Sequence, residues 1–111
     1  MKYPEGLSYA CEKFCNAVEI LATKPGKVRD RLKKAHIEFW PVREDDIPDE
    51  LKADYRWIKQ QLTRFEPVAN EGKVIATLER IKNSTGEKIA KRIVDLAARL
   101  EGYCNQQMVE D

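Results

Sequence analysis

Asp46-Ile47-Pro48-Asp49-Glu50-Leu51, running on to Phe65, decides the fold, because it combines a helix start with an apolar stripe. Pro48 has the backbone angle of a first helical turn. The acids Asp46, Asp49 and Glu50 sit where the positive end of a helix dipole favours negative charge. Leu51, Tyr55, Ile58, Leu62 and Phe65 then recur at steps of four and three, which places them on one face of a helix. That face requires cover from other helices.

The same spacing recurs on either side. Leu7, Cys11, Phe14, Val18 and Leu21 predict a first helix over residues 7–23, ended by Thr23-Lys24-Pro25-Gly26. Val28, Leu32, Ala35 and Phe39 predict a second over 27–40, stopped by Pro41, which steers the residue before it away from helical angles. After the third helix, Asn70 is a candidate cap for a short fourth with Val74, Leu78 and Ile81 inward. Ser84-Thr85-Gly86-Glu87 has the form of a capping box and predicts a fifth from there to about Asn105. Its inward residues are Ile89, Ile93, Leu96, Leu100 and Tyr103, and residues 106–111 read as a frayed tail. There is no sustained polar/apolar alternation of the kind strands require. The expected class is all-α: an up-and-down helical bundle of four main helices plus one short helix, forming a single domain.

Arg31-Leu32-x-x-Ala35, Asp46-Ile47-Pro48-x-Glu50-Leu51 and Leu62-Thr63 together resemble a group of small bacterial helical proteins with no assigned activity. That resemblance implies the helical fold and no substrate, cofactor or catalytic residue.

Bulk composition narrows the function. A chain of 111 residues buries about two-thirds of its unfolded surface, so it needs no metal or disulfide to fold. Twenty Lys and Arg against nineteen Asp and Glu leave a net charge of +1, without the global basic excess of a nucleic-acid binder. Mean hydropathy is -0.62 and no apolar run is long enough for a membrane span. The start at Met1 lacks the apolar core of a signal peptide, and three cysteines, an odd number, read as reduced thiols. A cytoplasmic address is the expectation.

Three constellations could carry chemistry. Cys11 and Cys15 lie one turn apart, and a bundle could bring Cys104 and His36 to their level as a Cys3His zinc site. The spacing matches no recognised zinc pattern and small cysteines are ordinary core residues, so no metal or other cofactor is expected. Arg31 and His36 have the Arg-x4-His spacing that resembles the catalytic motif of HEPN-type ribonucleases, which are small helical bundles and often dimers. That resemblance implies RNA cleavage, but here Leu32 replaces a polar residue and the motif lies on the second helix instead of a late one. Finally, residues 24–38 hold six cations against two acids, so Lys27, Arg31, Lys34 and His36 outline a possible RNA face. Residues 43–54 carry the opposite excess, six acids against two cations, so the two segments could neutralise one another, and a solvated charged face is the plainer reading of the basic stretch.

Apolar side chains off the stripes are the more informative signal. At about 100 degrees per residue, Trp57 points away from Ile58, while Tyr9 and Ile20 share the side of the first helix opposite Leu7 and Val18. Val94, with Ala90 and Ala97, widens the apolar arc of the fifth helix. Exposed apolar patches usually mark contact surfaces. The leading expectation is therefore a protein-protein interaction or self-association module, a homodimer with Tyr9, Ile20, Trp57 and Val94 as anchors. RNA binding is the alternative.

Overall fold

The computed structural model describes residues 3–110. Five α-helices run in order: α1 (Leu7–Thr23), α2 (Val28–Phe39), α3 (Lys52–Leu62), α4 (Lys73–Arg80) and α5 (Asn83–Glu110). Two single turns of 3-10 helix, Glu44–Asp46 and Asp49–Leu51, lead into α3, and the described residues contain no strand. The protein is all-α, with four main helices and one short one. α1 lies against both α2 and α5; α2 also reaches α4 and α5, and α3 packs on α4 and α5. At 28 residues, α5 is about 42 Å long and spans most of the molecule's 47 Å long axis.

The stripes close into one buried cluster. Phe14 of α1 stacks on Phe39 of α2 at 4.6 Å between centroids, and Tyr55 of α3 meets Phe14 edge-on at 5.9 Å. Around them Leu7, Leu32, Leu51, Ile58, Ile93 and Leu100 are fully buried. On α1 the buried line is Leu7, Ala10, Phe14, Ala17 and Leu21. Cys11 and Val18 are only half-buried, so the helix is turned slightly from its expected facing. The two alanines let neighbouring backbones approach.

Several boundaries differ from expectation. α3 ends at Leu62, and Phe65 lies beyond it, its N–H donating 3.0 Å to the hydroxyl of buried Thr77 on α4. That bond holds the connection to α4. Asn70 does not cap α4; Gly72 does, at φ 81, a left-handed angle that suits glycine. Just before it, the Glu71 carboxylate accepts the N–H groups of Val68 and Ala69. No Ser84 capping box forms, because α5 begins one residue earlier, at Asn83, and Ser84 lies inside the first turn. Gly86 in that turn packs on α2, where a Cβ would stand 3.0 Å from Val28 Cγ1. Residues 106–110 continue the helix instead of fraying, since Gln, Met and Glu are good helix formers and no breaker intervenes.

Candidate functional site

The residues singled out by sequence do not fall on one surface. Tyr9 is 40% exposed with the Lys13 ammonium over its ring, and Ile20 is half-buried against the core. Helical geometry sets both on the flank of α1 away from Val18. Trp57 does not stand open, contrary to expectation. The Arg92 guanidinium of α5 lies 4.3 Å from its ring centroid, and Arg92 is in turn held by Asp54, so one chain covers this tryptophan itself.

Val94 behaves differently. It is 42% exposed and opens onto an apolar groove of about 360 Å³ between α1 and α5, lined by Cys15, Val18, Ala97 and Ala98 and bounded by Glu19 and Glu101. The groove exists because α1 presents Cys15 and Val18 beside the small side chains of α5. Along the outer edge, Lys91, Val94, Ala98 and Glu101 are all exposed at steps of three, four and three. They form a continuous stripe, basic at one end and acidic at the other.

The three thiols converge at the same seam, and His36 is elsewhere. Cys104 Sγ donates toward Leu7 O at 3.8 Å, Cys15 Sγ contacts Glu101 Oε2 at 3.7 Å, and Cys11 lies close enough to both thiols to interact with them electrostatically. Burial, then the neighbouring thiol of Cys104, pushes the Cys11 thiol up to about 12. Burial also raises Cys15. Such thiols stay protonated and inert at neutral pH. Among the described residues no group of three or more His, Cys, Asp or Glu is placed to hold a metal ion.

The basic segment is largely occupied by structural work. Arg31 Nη1 donates to Leu21 O at 2.6 Å and Nε to Gly26 O at 3.2 Å, satisfying one carbonyl in the last turn of α1 and one in the connection that follows. Arg29 does the same for Ile81 O and the Asn83 side chain, ahead of α5. Lys33 pairs with Glu79, leaving Lys27 and Lys34 exposed. The acidic segment does not neutralise this face, as its carboxylates turn elsewhere: Glu44 to Arg56, Asp49 to Lys52, Asp54 to Arg92 and Arg99. His36 is half-buried, 5.6 Å edge-on from Trp40, with Nδ1 at 3.3 Å from Leu32 O. Burial lowers its pKa. Five residues apart on one helix, Arg31 and His36 diverge by about 140 degrees.

A second concavity escapes sequence reasoning. Where the end of α2 meets α3, Trp40, Val42, Arg43, Glu44, Arg56 and Lys59 line a cleft of about 470 Å³. Lys59 Nζ sits 3.9 Å from the Trp40 ring centroid and donates to Trp40 O at 3.2 Å. Burial lowers its pKa.

No known protein family, curated protein or solved structure matches the chain. No helix among the described residues is long and apolar enough to cross a membrane.

Proposed function

We propose that the protein is a self-association module whose α5 pairs with α5 of a second copy, and that this pairing is its working state. The observation that carries the reading is exposed Val94 set in the apolar groove between α1 and α5. Apolar surface of this kind gains free energy by leaving water. The stripe Lys91-x-x-Val94-x-x-x-Ala98-x-x-Glu101 reads with the same steps in both directions. Laid antiparallel about a two-fold axis at Leu96, it sets Val94 against Ala98 of the second copy and Lys91 against Glu101 of the second copy. Such self-complementarity is what an isologous interface demands. Exposed Ala98 and half-buried Ala90 permit close helix approach.

This reading moves the contact away from Trp57, which Arg92 covers, and keeps Val94 as the anchor. An RNA-directed role has less support, because Arg29 and Arg31 are committed to backbone carbonyls. The test is a charge exchange followed by sedimentation velocity. Lys91→Glu and Glu101→Lys should each weaken the dimer by placing like charges across the axis, and the double variant should restore it. A double variant no better than either single one would reject the antiparallel arrangement.

A further inference from the structure

The cleft between the end of α2 and α3 is independent of the α1–α5 face. Three cations, Arg43, Arg56 and Lys59, and one carboxylate, Glu44, line it. Arg56 and Glu44 satisfy each other in a two-pronged pair at 2.6 and 3.1 Å. Arg43 is 80% exposed in its side chain and reaches Asp45 only at 4.0 Å. Lys59 is the telling group. Half-buried, it has the Trp40 carbonyl and the rings of Trp40 and Tyr55 as neighbours, 3.9 and 5.3 Å away, and no carboxylate partner among the described residues.

A half-buried cation without a counter-ion is costly to the fold, since buried charges are normally paired. An anion entering the cleft would relieve that cost. The apolar side of the cleft, Trp40 and exposed Pro41 above the buried Val42, offers contact to a flat hydrocarbon body, and the volume lies in the range of small-molecule sites. We infer that this cleft binds a small molecule with one anionic group and a planar apolar body, the anion meeting Lys59 and Arg43 and the body lying along Trp40. Lys59 keeps donor capacity for this, since its ammonium has three N–H groups and gives one of them to the Trp40 carbonyl.

The test uses the full chain carrying Trp57→Phe, so that Trp40 is the reporter, with fluorescence titrations of phenyl phosphate and 3-phenylpropionate. Inorganic phosphate and phenethylamine serve as controls for the anion alone and for the wrong charge. Saturable binding of both aromatic anions at about 1 mM or tighter is expected, with inorganic phosphate weaker and phenethylamine silent. Lys59→Met should weaken binding by roughly tenfold or more. Circular dichroism checks the fold of that variant; should it unfold, exposed Arg43→Gln takes its place, with a severalfold loss expected. The proposal is overturned by no saturation up to about 10 mM, by equal binding of phenethylamine or inorganic phosphate, or by unchanged affinity in the folded variant.

Discussion

The guanidinium of Arg92 on α5 lies over the ring of Trp57 on α3, 4.3 Å from its centroid, while its Nη1 donates 3.1 Å to Asp54 one turn earlier on α3. One arginine therefore both shields an aromatic side chain and ties two helices together. Trp57→Ala should lower stability by about 2 kcal/mol, less than a fully buried tryptophan would cost, and leave association unchanged. Urea denaturation alongside sedimentation checks both halves; a changed dimer with unchanged stability would return Trp57 to the interface.

Arg31 ends α1 from a distance of ten residues. Arg31→Met keeps the apolar stem but strands Leu21 O and Gly26 O, and should cost about 1–2 kcal/mol. Thermal or urea unfolding measures this. A neutral substitution would mean that solvent satisfies those carbonyls as well.

Cys11 and Cys15 should be poor nucleophiles in the folded protein. With the Cys11 thiol at about 12 instead of 9.0, its thiolate fraction at pH 8 falls steeply, and iodoacetamide should label it at least about a hundredfold more slowly than in urea. Linkage runs the same way: the folded state holds protons the unfolded state releases, so stability is intact below about pH 9 and declines as pH rises toward 12. Rapid native-state labelling, read by mass spectrometry of peptides, would contradict the burial of this thiol.

His36 has the opposite sign. Burial lowers its pKa in the folded state, so the unfolded chain takes up its proton first as pH falls. Stability is full above the unfolded value of about 6.5 and is lost as pH drops through it toward the folded value. Denaturation midpoints measured from pH 7.5 to 5 should show this loss, and His36→Gln should flatten it.

The helices were legible because their stripes are regular: Val28, Leu32, Ala35 and Phe39 are all buried as their spacing requires. What periodicity could not supply is the partner across each gap. That Arg92 covers Trp57, or that Arg31 reaches Leu21 O, depends on how helices are placed side by side. The cleft at Lys59 was illegible for the same reason, since Trp40 ends one helix and Lys59 belongs to the next. Caps failed where an alternative was equally available: Gly72 with its left-handed angle displaced Asn70. The convergence of Cys11, Cys15 and Cys104 followed from the antiparallel placing of α1 and α5, whereas His36 faces Trp40 instead.

The central claim is that exposed Val94 and its groove are covered by a second copy. Sedimentation equilibrium at micromolar concentration tests it most directly, with Val94→Asp as the comparison. The wild-type protein should sediment at twice the chain mass of 12.9 kDa and the variant at that mass, with helical content unchanged. A wild-type protein that stays at 12.9 kDa across the accessible concentration range would contradict the account.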